Sequence, residues 1–101
     1  MAAMSLPIVF RRAARQEYDA AADWYEARRP GLGVTFTHAV QRALDEIAHQ
    51  PDFFAAVWND VRESLVRGFP YCVYYREELD RILVLAVFHT ARNPSIWKGR
   101  S

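Results

Sequence analysis

The rhythm of apolar and polar positions divides this chain into a helical first half and a strand-forming second half. Pro7-Ile8-Val9-Phe10-Arg11 is a short β-type run. A proline at its head suits the first residue of a strand or a sheet edge. From residue 13 to 28 the period becomes helical. Tyr18, Ala21, Ala22 and Tyr25 recur at i, i+3, i+4 and i+7, and Ala14 extends the stripe back one turn. Trp24 stands beside this stripe. Pro30-Gly31 stops the helix. Phe36, Val40, Ala43, Leu44 and Ile47 form a second helical stripe, which reaches His49 and ends before Pro51. The link is short, so the two helices are expected to pack as an antiparallel hairpin.

The second half changes to strand patterning. Residues 52–60 carry Phe53, Phe54, Val57 and Trp58, which are expected to close one end of the core, with a short extended piece over 56–58. Residues 62–67 form a candidate strand of mixed polarity. After Gly68-Phe69-Pro70, alternation places Tyr71, Val73 and Tyr75 on one face and Cys72, Tyr74 and Arg76 on the other. A polar reversal over residues 77–80 makes the next strand antiparallel. That strand is apolar at every position from Ile82 to Phe88, the pattern of a strand covered on both faces. The hairpin is expected to cover one face, and the C-terminal segment or a partner the other. Residues 89–101 contain Pro94 and Gly99 and are expected to turn without regular structure, with Trp97 folding back on the sheet.

The expected fold class is therefore α+β: an N-terminal strand, an antiparallel helical hairpin, then a three-stranded antiparallel run. Together these make one mainly antiparallel sheet with both helices on one face. Residues 1–101 read as a single domain, and 1–6 as a flexible lead-in.

Composition narrows the function classes. The chain has 101 residues, 51% of them hydrophobic and 25% charged, enough for a packed core and too apolar for wholesale disorder. The formal net charge of +1 gives no global reason to expect nucleic acid. Its distribution is uneven. Residues 1–61 carry 6 basic and 8 acidic side chains, and residues 62–101 carry 7 and 4, so the strand-forming half is the basic half. The lone Cys72 excludes an internal disulfide and the usual zinc spacings. No P-loop, dinucleotide fingerprint or nucleophile elbow is present, so no cofactor and no metal are expected. There is no secretory signal and no apolar run long enough to span a bilayer, which makes the cytoplasm the default location.

Candidate chemistry gathers where the last strand ends. His89 stands at the exit of that strand, three residues before Arg92. It reads either as a general acid/base or anion contact, or as a strand-end histidine that hydrogen-bonds the backbone. Arg62, Arg67, Arg92, Lys98 and Arg100 are candidates to gather along one sheet edge, gripping phosphate or an acidic partner; the bland alternative pairs them with local acids such as Glu63. Tyr71, Tyr74 and Tyr75 offer stacking surfaces or hydroxyls. Arginine beside tyrosine serves a metal-free RNA-cleaving site and a peptide-docking face equally well.

The order strand, helical hairpin, three strands, with Arg62-x4-Arg67-x-Phe69-Pro70-Tyr71-x-Val73-x-Tyr75 and His89-x2-Arg92-x-Pro94-x2-Trp97, resembles the RelE/ParE superfamily of type II toxin–antitoxin toxins, also called plasmid-stabilisation proteins. The resemblance covers residues 8–100. It implies a small bacterial toxin held inactive by a cognate antitoxin, whose C-terminal segment covers it as a helix or added strand. Operator DNA would be bound only through that antitoxin. RelE-like members cleave mRNA on the ribosome; ParE-like members inhibit DNA gyrase without cleavage chemistry. RelE-like ribonucleases commonly carry extra basic residues where this chain has Cys72, Val73 and Tyr74, so the resemblance favours the ParE-like branch. It leaves a ribonuclease and a degenerate module that only binds antitoxin as alternatives. As a ribonuclease, the chain would draw its catalytic candidates from Arg62, Arg67, Tyr71, His89 and Arg92. As a binding protein, its antitoxin or target contacts would come from Arg67, Tyr71, Tyr74, Arg92, Trp97, Lys98 and Arg100.

Overall fold

The computed structural model describes residues 5–100. A short strand β1 (Ile8–Phe10) leads into two long helices, α1 (Arg12–Arg28) and α2 (Leu32–His49). Four strands follow, β2 (Ala56–Trp58), β3 (Val61–Val66), β4 (Tyr71–Glu77) and β5 (Ile82–His89), and a last helical turn α3 (Ser95–Lys98). The five strands make one sheet in the order β1-β5-β4-β3-β2. Every neighbouring pair is antiparallel except β1 and β5, which run parallel. Of the flexible lead-in expected over residues 1–6, the first four lie outside the described residues, and Leu6 packs against the core.

The α+β class with a helical hairpin on the sheet is as the sequence predicts; the strand detail differs. The extended piece at 56–58 is a fifth strand, joined to β3 through Asn59 and Asp60. Asn59 adopts φ 52°, the left-handed conformation that asparagine tolerates better than most residues. Residues 89–101, expected to lack regular structure, include α3. It forms because Trp97 has somewhere to go: the ring is buried and stacks on Tyr74 at 4.2 Å between centroids, 17° between planes.

The hairpin is fastened at its turn. Gly31 takes φ +87°, which a side chain would oppose. The backbone N–H groups of Gly31 and Gly33 donate to the Glu26 carboxylate, which thus supplies the missing cap of α2 from the end of α1. Gly33 also lets the helices touch. A Cβ there would stand 2.6 Å from the Ala22 carbonyl oxygen and 2.9 Å from the Glu26 Cβ.

Two apolar clusters lie on opposite faces of the sheet. Phe36, Val40, Leu44 and Ile47 of α2, with Ala14 and Ala21 of α1, pack on Val73, Tyr75, Ile82, Val84 and Val87. The other face joins Val61, Cys72, Tyr74, Leu83, Leu85, Ala86 and Phe88 to Trp97. The C-terminal segment is thus the cover on the second face. The alternation of β4 is as the sequence predicts; that of β5 is interrupted. Tyr74 pairs with Ala86 and Tyr75 with Val84, so Leu85 is an extra residue in a β-bulge. The bulge puts Leu85 and Ala86 in the same cluster and returns Val87 to the hairpin side.

Candidate functional site

Strand β1 pairs with β5 only from Ile82 to Val84, whereas β5 continues to His89. Beyond Phe10 no described strand lies on that edge. A groove of about 720 Å³ opens there between α1 and the exposed end of β5. Ala13, Ala20, Ala21 and Trp24 of α1 form one wall, Val87 and His89 the other, and Pro70 and Tyr71 close one end. Trp24 is 53% exposed, with the Arg28 guanidinium 4.2 Å from its ring centre. Standing beside the buried stripe of α1, Trp24 lies on the groove rather than in the core.

Glu17 lines this groove from α1. Its carboxylate accepts two hydrogen bonds of 2.9 Å from Arg100, in a bidentate pair, and one of 3.2 Å from the Val87 backbone N–H. Arg92 approaches the same carboxylate at 3.5 Å. Arg100 also donates to the Leu85 carbonyl at 3.0 Å. The two side chains therefore take up a donor and an acceptor on the part of the β5 edge that β1 does not reach. Unmet, each such buried backbone group costs about 1–3 kcal/mol. Glu17 is the site residue that the motif reading missed. Its partners lie 70 to 83 positions away in the chain, so no local spacing announces it.

The sequence-predicted site residues do not gather along one edge. Arg92 and Arg100 meet at Glu17, near His89 and Tyr71. Arg62 is turned to the opposite end of the sheet, where it donates to the carbonyls of Asp52 and Phe54 and holds that loop. Arg67 stands in the exposed β3–β4 turn. Lys98 lies 4.6 Å from the Trp58 ring centre. Glu63, offered as a local partner for the arginines, instead accepts a 2.7 Å hydrogen bond from the Tyr74 hydroxyl.

The His89 Nδ1 accepts from the Ala91 backbone N–H at 3.0 Å, so one ring nitrogen is committed to the strand-end turn. The ring also meets Tyr71 edge-on at 5.2 Å. Burial, with the nearby Tyr25, raises the Tyr71 phenol above its ordinary 10.0, against the pull of Arg92; it stays a neutral hydroxyl at physiological pH. Among the described residues, no cluster of His, Cys, Asp and Glu could hold a metal ion. No helix of the described chain is long and apolar enough to cross a membrane.

A family model described as the ParE toxin of the type II toxin–antitoxin system parDE matches residues 8–94. The chain belongs to the ParE toxin family. Its fold agrees with a solved structure titled "Chromosomal ParDE TA system from P. aeruginosa": the TM-score is 0.73 at 16% identity, over 84% of this chain and 96% of that one. Among curated proteins none matches significantly. In this ParE family member the matched span runs from the first residue of β1 through the strand-end segment, and so includes every element that lines the groove except Arg100.

Proposed function

We propose that this toxin inhibits growth by binding rather than cleaving, with DNA gyrase as its target, and that its cognate antitoxin docks in the groove between α1 and the uncovered end of β5. Membership of the ParE family carries the reading of the target. The groove carries the reading of the antitoxin site. It combines an apolar helix wall, an exposed tryptophan and a stretch of β5 edge with no strand beside it, where the Glu17 and Arg100 side chains hold backbone groups that an added strand would take over, the features by which a protein segment is captured as a helix or an added strand.

The scatter of the arginines supports binding over cleavage. A phosphorane needs its cationic stabiliser and its proton donor within hydrogen-bond reach of one point. Arg62 and Arg67 stand apart from the His89–Arg92 segment, and Arg100 is already held bidentate by Glu17.

Expression of the chain alone is expected to arrest growth, and co-expression of the antitoxin to reverse the arrest. Purified toxin is expected to block supercoiling by purified gyrase while mRNA stays intact. New in-frame mRNA ends on brief induction, with gyrase unaffected, would replace this reading by the ribonuclease one. Tolerated expression of folded toxin that still binds antitoxin would mark a module that has lost its activity.

A further inference from the structure

A second groove lies on the other side of the ridge formed by Tyr25 and Pro70, which line both. It holds about 660 Å³ between α2 and the β3–β4 turn. Leu32, Ala39, Phe69 and Pro70 give it an apolar base, and its rims carry cations: His38 and Arg42 from α2, Arg67 from the turn. No acid lines it. Among the described residues neither Arg42 nor Arg67 has a carboxylate within salt-bridge distance, whereas Arg15, Arg76, Arg81, Arg92 and Arg100 each have one. Glu46 lines the small cleft where Arg42 and Arg67 come together, yet forms no ion pair with either. Two exposed guanidinium groups thus border a shared apolar trough without a carboxylate in salt-bridge contact.

We propose that this trough takes an acidic stretch of the same protein segment that fills the first groove, with carboxylates on Arg42 and Arg67 and one apolar side chain on Phe69 and Leu32. This rests on the reading that the first groove docks the antitoxin. Two observations choose the occupant. The two grooves share Tyr25 and Pro70 in their linings, so one extended segment that crosses this ridge can reach both. The charge is complementary: guanidinium groups from α2 and from the β3–β4 turn suit bidentate carboxylates. A nucleic acid is the poorer fit, because a net charge of +1 supplies little of the counterion-release attraction on which phosphate-backbone binding depends. Guanidinium–carboxylate pairs seated over an apolar base lengthen the residence of the bound segment and bias selection between antitoxins.

The test uses the co-expressed toxin–antitoxin complex and follows its dissociation against excess labelled antitoxin, at low and at high salt. In the natural complex dissociation should quicken with salt. In the Arg42→Glu/Arg67→Glu complex it should be about 30-fold faster at low salt, and its salt response should flatten. Arg42→Lys/Arg67→Lys should restore most of the salt response but not the full residence time, since lysine keeps the charge and loses the fork. Both positions are exposed and unpaired, so the thermal midpoint of free Arg42→Glu/Arg67→Glu toxin should stay near the natural value. An unchanged dissociation rate and salt response would overturn the proposal. Ala20→Trp, which fills the first groove, separates the two readings. If it weakens the complex and the arginine reversals do not, only the second groove falls. If neither change matters, the docking reading itself falls. Loss of binding to a labelled oligothymidine in the Arg42→Glu/Arg67→Glu toxin, with the antitoxin complex unaffected, would make the trough a nucleic-acid site and also overturn the proposal.

Discussion

Arg100 and Glu17, the one near the end of the chain and the other on the first helix, hold each other through two parallel 2.9 Å hydrogen bonds. Both side chains are mostly buried, at 13% exposure for Glu17 and 18% for Arg100. The pair also satisfies the backbone of the β5 bulge, through Leu85 and Val87. The C-terminal segment is therefore tied to the sheet at two points, by this pair and by Trp97 on Tyr74.

Removing one member leaves a largely buried charge without its partner and a bulge group unmet. Glu17→Ala and Arg100→Ala are each expected to lower stability by about 2–3 kcal/mol. The double variant should cost less than the sum, with a coupling of about 1–2 kcal/mol. Chemical unfolding of the four proteins measures this directly. Additive losses would mean that the pair contributes no coupling of its own.

Gly33→Ala tests the hairpin. The new methyl would lie 2.6 Å from a backbone oxygen of α1, which cannot move aside without shifting the helix. A loss of about 1–3 kcal/mol is expected, although alanine is the better helix former by about 1 kcal/mol. The thermal midpoint of this variant should fall. A rise would show that the helices separate freely.

Alkaline pH should weaken the fold from its sheet. Burial pushes the Cys72 thiol from 9.0 up to about 11, with Glu63 adding to the rise. Burial likewise pushes Tyr75 from 10.0 up to about 12, and raises Tyr74, whose hydroxyl donates to Glu63. For each group the folded state holds its proton more tightly than the unfolded chain does. Their stabilising contribution is thus complete below about pH 9 and is lost as pH rises through 11 and 12. Melting midpoints should be flat on the neutral side of that window and fall within it. Cys72→Ala should delay the onset, because the thiol is the first of the three to ionise in the unfolded chain.

Most of the architecture is legible in the order of the residues, and the exceptions have physical reasons. The helical stripes predict their buried faces because polar residues break each period, and the β4 faces follow from period-two alternation because the extra residue of the bulge lies on β5. The bulge is invisible, because Ile82 to Phe88 is apolar throughout and a one-residue change of phase leaves no mark on such a run. Strand β2 did leave one: Asn59-Asp60 between Trp58 and Val61 is a two-residue reversal of the kind that joins hairpin strands. Helix α3 is too short to show a period, and it depends on Trp97 reaching Tyr74. At the candidate site, His89 and Arg92 stand in the strand-end motif and Arg100 among the basic residues after it. The Glu17 carboxylate that draws Arg92 and Arg100 together was not legible, since tertiary packing alone makes that contact.

The stack of Trp97 on Tyr74 suggests the last experiment. Trp97 is 3% exposed and its ring joins the cluster that covers the second face of the sheet. Trp97→Ala should cost about 3–5 kcal/mol, because it removes both the buried area and an aromatic pair worth about 0.5–1.5 kcal/mol. Trp97→Phe should recover a good part of that by keeping the stack. If Trp97 anchors the segment that brings Arg100 to Glu17, Trp97→Ala should also abolish the Glu17–Arg100 coupling in the double-mutant cycle. An intact coupling would show that the two fastenings of the C-terminal segment act independently.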